Sequence, residues 1–506
     1  MLNTKKLLNN DIFIFIFSFV LTFITYICLL RAGFLSLDDT LGVVENYTIR
    51  SIKDSIRSLY IIPITSSILY KLFGLSAWVF HLRGIFLHSV NVFLLYLIAK
   101  KLIGQKTALL TLFFFIFHPG VSEPISWISG HVYLFASMFN LLTILFYIKF
   151  QKDKKNLFFV VSIIFYILYI IFNRGPWVIL TPVLVYLIDI LFLGKKFILD
   201  KKILFLIPLI MYLIIFFPDQ VSSRTDAIGS YFSGTTAPNK FITIGQNIGR
   251  SYTLLIFPIN LNITFSHFEP NFINFASIFI NYILLILIFY YSYKKDRIIF
   301  GLLCVIYAST LPLFSPFNIA VNQAERYFYL AVAFYCILIS YLLVNIVGKK
   351  ISNKYIFIFY IICTLFFIRT FVRTLDWKND ESLWASAERT VTNNYNVYNE
   401  MGNVYFAKND MTTAFKYYQK ALDLRPKYPT SLHNIGLINL KLGKIEDAKK
   451  LFESAVEIDP TFYDSYYRLG QVAKFEGDIK LAKEYFDKAL IYKKDFEEVK
   501  KELQKL

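Results

Sequence analysis

Charged residues are scarce in this chain, and cysteine is scarcer still. Charged residues make up 17% of the 506 positions, whereas 56% are hydrophobic and 18% are aromatic. Soluble domains carry about 25% charged residues, so the composition excludes an ordinary soluble protein. The four cysteines, Cys28, Cys304, Cys336 and Cys363, all lie in apolar runs, where a free thiol behaves as a small hydrophobe. The cysteines therefore indicate neither a disulfide framework nor a zinc site.

Long apolar runs fill the first three quarters of the chain. Many of them extend for about 20 residues, which is enough to cross a hydrocarbon core roughly 30 Å thick. They predict a polytopic, all-α membrane helix bundle with about eleven spans. The first run follows Lys5 and Lys6 and is interpreted as a retained anchor, because no small-residue cleavage site follows it. The predicted spans are 11–30, 78–99, 107–118, 124–149, 156–173, 177–193, 202–217, 271–291, 298–314, 327–347 and 355–371.

Acidic residues are also in short supply, with 35 against 53 basic residues and a formal net charge of +18. The lysines cluster in alternate short connections, at 100–101, 152–155, 195–202, 294–297 and 349–354. Short cytoplasmic loops are enriched in basic residues, so this pattern predicts a cytoplasmic N-terminus and no nucleic-acid partner. An odd number of spans then places the C-terminal part on the non-cytoplasmic side.

A repeat of 34 residues begins at position 393. Gly402, Gly436 and Gly470 keep this spacing, which predicts three tetratricopeptide (TPR) repeats forming an α-solenoid. The predicted domains are a membrane domain at 1–372, a connecting segment at 373–392, the repeats at 393–494 and a helical extension at 495–506. The concave face of such a solenoid suits an extended peptide or a partner helix, so a protein partner is expected there. Docking or dimerisation without any part in chemistry is the alternative. Four aromatic side chains are expected between the paired helices: Tyr405, Tyr418, Phe452 and Phe486.

Two adjacent acids, Asp38 and Asp39, follow the first span. A charge beside the hydrocarbon layer is usually retained for function. Adjacent acids can divide their roles, with one acting as a base or metal ligand while the other orients it. A solvated, Asp-rich loop is the alternative interpretation.

Two further groups of polar residues flank predicted spans on the same side. The run FHPGVSEPISWISGHVYL forms a predicted outward turn, although its spacing is not that of a zinc protease. Its alternative interpretation is a set of interfacial polar residues with the tryptophan in the aromatic belt. Arginines near the outer surface suit the phosphate of a lipid carrier. For Glu325 and Arg326, the alternative interpretation is a solvated pair at a helix end. The residues concerned are His118, Glu123, Trp127 and His131 in the turn, and Arg174, Glu325 and Arg326 elsewhere.

Taken in order, these motifs resemble a known family. Their order is similar to that in the transmembrane and TPR O-mannosyltransferases and their bacterial relatives. The segments that carry the resemblance are the acidic pair, then FHLRGIFLHSVNVFLLYLI, HPGVSEPISWISGHVYLFASMFNLL and AERYFYLAVAF, and finally DWKNDESLW before the repeats. The resemblance covers nearly the whole chain and is weaker over 195–310. It implies a glycosyltransferase C-type fold, an active site at the outer face, and a polyprenyl-phosphate-linked sugar as the donor substrate.

The resemblance also assigns roles to the candidate residues. Asp38 or Asp39 would deprotonate the acceptor hydroxyl for in-line attack with inversion, and a divalent metal, left open as a cofactor, would bind there. Arg326 and Arg174 would hold the leaving lipid phosphate. The outer-face pocket would be lined by His118, Glu123, Trp127, His131 and Glu325. The chain departs from the family pattern at 173–176 and at His131, where the family usually has arginine.

Three functional hypotheses follow. The first is an integral-membrane glycosyltransferase acting on a protein or surface-glycan acceptor presented by the repeats. The second is a non-catalytic scaffold for envelope assembly, which would be indifferent to loss of Asp38 and Asp39. The third is a transporter, which would need polar residues deep in the spans, and Asn91, Asn140 and Asp189 are the candidates.

Overall fold

The computed structural model consists of helices joined by short connections. It describes residues 10–36, 38–173, 176–193, 201–218, 254–256, 258, 261, 272–310, 324–349, 353–391 and 393–506. No strand occurs within these ranges. The predicted all-α class is therefore confirmed.

The membrane part contains fourteen described α-helices. Short 3-10 segments such as Pro119–Val121 and Glu325–Phe328 lead into some of them. The α-helices are α1 (Asp11–Tyr26), α2 (Ile52–Ser58), α3 (Ile61–Phe73), α4 (Ala77–Leu102), α5 (Gln105–Phe117), α6 (Ser122–Ser126), α7 (His131–Asp153), α8 (Asn156–Asn173), α9 (Leu180–Leu191), α10 (Leu206–Ile215), α11 (Phe272–Lys295), α12 (Arg297–Thr310), α13 (Tyr329–Lys349) and α14 (Asn353–Asp376).

Several of these helices are long and apolar enough to cross a membrane. Among the described residues, length and hydropathy identify five, within Asp11–Arg31, α4, α7, α8 and Glu325–Asn345. The bent pair formed by α5 and the segment Pro119–Ser126 adds a sixth, with a 64° bend. The chain is therefore a multi-pass membrane protein. The expected number of about eleven crossings stays a prediction, because helices such as α3, α9 and α12 are shorter than a span.

The span predicted at 124–149 is present, but its helix starts later, at His131, because the chain is interrupted after α6. Helix α6 ends at Ser126, the chain is extended at Trp127, and α7 starts at His131. The interruption leaves the backbone N–H of Ser129 free to donate to Asp39 at 2.9 Å. A continuous helix would use that donor within its own ladder. The outer segment 31–76, predicted as a connection, likewise contains α2 and α3.

The two ends of the bundle differ in charge. At one end the basic connections meet: Lys100 pairs with Asp11 at 2.8 Å, and Lys201 donates to Asn156 at 3.0 Å. Lys202 forms a buried pair with Asp189 at 2.7 Å at this end. The candidate site residues lie at the opposite end, where α1 ends and α4 begins.

The repeat region consists of three helix pairs and a last short helix. Each pair packs an aromatic ring of its second helix against a glycine of its first. Tyr418, Phe452 and Phe486 are at most 1% exposed, as predicted. A Cβ on Gly436 would lie 2.6 Å from Phe452 Cε1, so the close approach requires glycine. The helices are α15 (Asp380–Thr390), which precedes the repeats, then α16 (Tyr395–Ala407), α17 (Met411–Leu424), α18 (Pro429–Lys441), α19 (Ile445–Ile458), α20 (Tyr463–Phe475), α21 (Ile479–Tyr492) and α22 (Glu497–Leu503).

Candidate active site

The two adjacent acids have different environments. Asp39 is fully buried, and its Oδ1 accepts hydrogen bonds from the Ser129 backbone N–H at 2.9 Å and the Ser129 hydroxyl at 2.7 Å. Its Oδ2 accepts from the Leu35 N–H at 3.3 Å. Asp38 is exposed and forms no hydrogen bond or ion pair in the part of the chain that the structure describes. The Asp39 carboxylate therefore fixes the loop, whereas the Asp38 carboxylate is exposed and has no partner among the described residues.

Burial also changes the proton affinity of Asp39. Loss of solvent raises the pKa of the Asp39 carboxyl above its ordinary value, and the negative charge of Asp38 acts in the same direction. Hydrogen bonds from Ser129 and Leu35 act in the opposite direction but do not cancel the effect of burial.

The acidic loop is attached to the helix that leads into the repeats. The Ser36 N–H donates to both carboxylate oxygens of Asp380, at 2.9 and 3.2 Å, and the Gly33 N–H donates to the Lys378 carbonyl at 3.1 Å. Asn379 caps α15 with a reciprocal capping box. The start of the repeat region and the acidic pair therefore lie at the same end of the bundle.

Glu123 and Arg326 form a buried ion pair at this end. The Arg326 Nη1 donates to Glu123 Oε1, and the Arg326 backbone N–H donates to Oε2 at 3.1 Å. Glu123 is fully buried and Arg326 is 8% exposed. The guanidinium lies over the rings of Trp127 and Tyr327, each with its centroid at 4.9 Å. The positive charge of Arg326 is therefore already balanced within the protein.

Glu325 is buried as well, and it pairs with a different arginine. Arg373, near the end of α14, donates to Glu325 at 3.1 Å and to Asp376 at 3.0 Å. Glu325 and Arg373 are each 1% exposed. The alternative interpretation of Glu325 and Arg326 as a solvated pair is therefore wrong. Glu325 and its neighbour Arg326 have different partners because the 3-10 turn at 325–328 directs adjacent side chains differently.

The two histidines of the turn have structural contacts. His118 Nδ1 accepts from the Gly120 N–H at 3.1 Å, so its Nε2 carries the proton and donates to the Leu255 carbonyl at 3.0 Å. His131 Nδ1 accepts from Arg83 Nε at 3.2 Å, and its Nε2 donates to the Ile125 carbonyl at 3.2 Å.

All four turn residues are buried rather than interfacial: His118, Glu123 and His131 are fully buried, and Trp127 is 7% exposed. The alternative of interfacial polar residues is therefore wrong, because these side chains are buried and the polar atoms of His118, Glu123 and His131 bond within the bundle. The other predicted phosphate ligand, Arg174, lies outside the described residues.

The sequence did not decide whether a divalent metal is a cofactor, and the structure offers few ligands for one. No group of three His, Cys, Asp or Glu side chains lies close enough to hold a metal ion within the described ranges. Both oxygens of Asp39 already accept hydrogen bonds, so Asp38 is the carboxylate with free lone pairs.

Several residues of this region were not among the sequence-predicted site residues. Arg83, Arg373 and Asp380 contact the candidate residues or their loop. The signal for Arg83 was a basic residue inside the apolar run FHLRGIFLH, which usually marks function in a membrane helix. Ser129 carries no such signal, because a serine in a turn has no distinctive chemistry by itself.

The fold and the repeats define the class: a multi-pass helical membrane protein that carries TPR repeats. A family model for the tetratricopeptide repeat matches residues 394–461, and a second such model matches 463–505. The chain is 26% identical over 164 residues to the human protein O-mannosyl-transferase TMTC3. This match covers 31% of the chain and 18% of TMTC3, so the chain spans less than a fifth of that curated relative. The resemblance predicted from the motifs is confirmed by this similarity.

Two solved structures are also similar. The crystal structure of ArnT from Cupriavidus metallidurans bound to undecaprenyl phosphate covers 90% of this chain, and 80% of the ArnT chain is covered, with 13% identity and a TM-score of 0.41. YrrB, described as a TPR protein with an unusual peptide-binding site, covers 43% of this chain, and 98% of YrrB is covered, with 19% identity and a TM-score of 0.23.

Proposed function

We propose that this protein is an integral-membrane glycosyltransferase of the glycosyltransferase C type. It transfers a sugar from a polyprenyl-phosphate donor to a hydroxyl of a protein or surface-glycan acceptor. The proposal depends chiefly on the difference within the acidic pair: Asp39 is buried and hydrogen-bonded, whereas Asp38 is exposed and has no partner in the described ranges. The similarity to an O-mannosyltransferase supports the same class of reaction.

In this proposal Asp38 is the general base. Its free carboxylate accepts the proton of the acceptor hydroxyl as that oxygen attacks the anomeric carbon, while the lipid phosphate leaves on the opposite side with the bonding electrons. Asp39 holds the loop through Ser129, so that Asp38 keeps a fixed position. This geometry inverts the configuration of the sugar.

The proposal places the reaction on the non-cytoplasmic side. The basic connections meet at one end of the bundle and the acidic pair lies at the other, and basic loops favour the cytoplasm. The repeats begin beside the acidic loop, through the contact between Asp380 and Ser36. An acceptor peptide bound by the repeats would therefore be close to Asp38.

The test is a comparison of matched variants. Cells lacking the protein are complemented with the wild type, Asp38→Asn or Asp54→Asn, and envelope glycoproteins and glycolipids are analysed by mass spectrometry. Asp54 is an exposed acid of the same outer segment, so its variant removes the same charge elsewhere. We expect a glycan that returns with the wild type and Asp54→Asn but not with Asp38→Asn at equal protein abundance. Restoration by Asp38→Asn would favour the scaffold instead.

A further inference from the structure

Arg83 is a buried arginine whose hydrogen-bond partners are all neutral. It lies on α4 and is 9% exposed. Its Nε donates to His131 Nδ1 at 3.2 Å. Its Nη1 donates to the hydroxyls of Thr65 and Ser66, on α3, at 3.0 and 2.8 Å. Three segments of the chain therefore converge on one guanidinium.

The charge of Arg83 has no ion-pair partner in the described part of the chain. Its Nη2 is buried and has no hydrogen-bond partner. By contrast, the buried arginines Arg326 and Arg373 pair with Glu123 and Glu325. Burying a charge without an ion-pair contact is costly, and the carboxylate of Asp39 acts on Arg83 only through space. An N–H group left without a partner at this depth therefore indicates a site for an anion.

Arg83 lies next to the acidic loop. Ser129, which bonds Asp39, is two residues from His131, which bonds Arg83. Asp39 also interacts electrostatically with Arg83 without forming a hydrogen bond to it. A Cβ on Gly84 would overlap His131 Nε2, so the close approach of α4 to this segment requires glycine.

We infer that Arg83 forms an anion site that binds the phosphate group of a lipid-linked substrate. The inference rests on the proposed function, because it assigns the phosphate of that donor to a residue. A guanidinium suits phosphate oxygens because its N–H groups form a planar fork. The free Nη2 supplies the donor, and Thr65, Ser66 and His131 hold the other nitrogens. Since Glu123 already balances Arg326, Arg83 supplies the additional positive charge for the leaving phosphate.

The test uses the purified full chain in detergent. Thermal unfolding is followed with polyprenyl phosphate, with the corresponding polyprenol, with inorganic phosphate and with phosphatidylglycerol. The variants are Arg83→Met, Arg83→Lys and the control Arg57→Gln, which removes an exposed arginine from the outer segment 31–76. We expect polyprenyl phosphate, but not polyprenol, to raise the unfolding temperature of the wild type and of Arg57→Gln.

Arg83→Met should lose affinity for polyprenyl phosphate by at least about tenfold, because a charged hydrogen bond is lost. Without lipid, its unfolding temperature should equal or exceed that of the wild type, because methionine fills the site without a buried charge. A lower unfolding temperature with a normal lipid response would overturn the inference and make Arg83 a structural link. If Arg83→Met fails to fold, Arg83→Lys decides, since it keeps the charge but loses the fork. Unchanged affinity in that variant overturns the inference.

The lipid arms separate this inference from the proposed function. A wild type that responds to polyprenyl phosphate while Arg83→Met responds equally overturns the Arg83 site and leaves the proposed function intact. A wild type that does not respond to polyprenyl phosphate overturns both. A response that depends on Arg83 but occurs with inorganic phosphate or phosphatidylglycerol and not with polyprenyl phosphate overturns the assignment of the anion to a lipid-linked donor.

Discussion

Glu123→Gln removes the negative charge of a buried ion pair and replaces one of the two oxygens that accept from Arg326 by an amide nitrogen. Glutamine has nearly the same volume as glutamate and keeps one carbonyl oxygen, which can still accept from Arg326. Glu123 is fully buried and Arg326 is 8% exposed, so the remaining positive charge has little access to water. The variant therefore measures what it costs to leave a guanidinium unbalanced inside the bundle.

The expected cost follows from the burial. Breaking a buried pair by removing one partner costs about 3–5 kcal/mol, because the other charge stays desolvated. The rings of Trp127 and Tyr327 flank the guanidinium, each at 4.9 Å, and continue to stabilise its charge. We therefore expect a loss near the lower limit, about 3 kcal/mol, which is about a hundredfold in the folding equilibrium.

The assay is denaturant unfolding of the purified chain in detergent, with two comparison variants. Glu381→Gln breaks a pair with Lys408 whose side chains are 48% and 46% exposed, and it should cost less than about 1 kcal/mol. Glu123→Gln combined with Arg326→Met removes both charges and should be more stable than Glu123→Gln alone. The reasoning is refuted if Glu123→Gln costs no more than Glu381→Gln, or if the double variant is less stable than Glu123→Gln alone.

Three further predictions concern the acidic loop and the repeats. Asp380→Ala should speed amide exchange at 33–36 and slow sugar transfer about tenfold, because a charged hydrogen bond to the acidic loop is lost. Equal effects of the control Glu381→Ala would contradict a specific role of Asp380 in holding this loop. Gly436→Ala should destabilise the repeats by about 1–3 kcal/mol in circular-dichroism melts, because its Cβ meets the Phe452 ring, and an unchanged melt would contradict this packing. Burial lowers the pKa of His433 to about 3, so the unfolded chain takes up the proton first. The free energy of unfolding should therefore fall as pH drops from about 6.5 toward 3, and His433→Gln should lack this part of the pH dependence. Identical profiles of unfolding free energy against pH in the wild type and in His433→Gln would refute this prediction.

The helices could be predicted from the sequence because their signals are local. Each predicted span contains helix within the described residues, and the 34-residue spacing of Gly402, Gly436 and Gly470 predicts the helix pairs. Apolar length and small-residue spacing act over one or two elements, so neither requires knowledge of distant contacts. The hydrogen bond between Ser129 and Asp39 could not be predicted in this way, since the two residues lie 90 positions apart in the sequence.

The candidate site shows the same limit. The sequence singled out Glu123 and the Glu325-Arg326 pair in two separate groups, and the structure brings these residues together at the same end of the bundle. The sequence did not predict which acid pairs with which arginine, because Glu325 pairs with Arg373 and not with the adjacent Arg326. Partner choice depends on the direction of each side chain after the helices have packed.

By itself, the sequence determined that the protein is helical, crosses a membrane several times and carries TPR repeats. Hydrocarbon thickness and repeat period impose these properties on any chain with this pattern. The tertiary structure was needed to show that Asp39 is buried while Asp38 is exposed, and that Arg83 has no ion-pair partner among the described residues. The physical reason is that solvent exposure and charge balance are properties of a packed environment, to which segments hundreds of residues apart contribute.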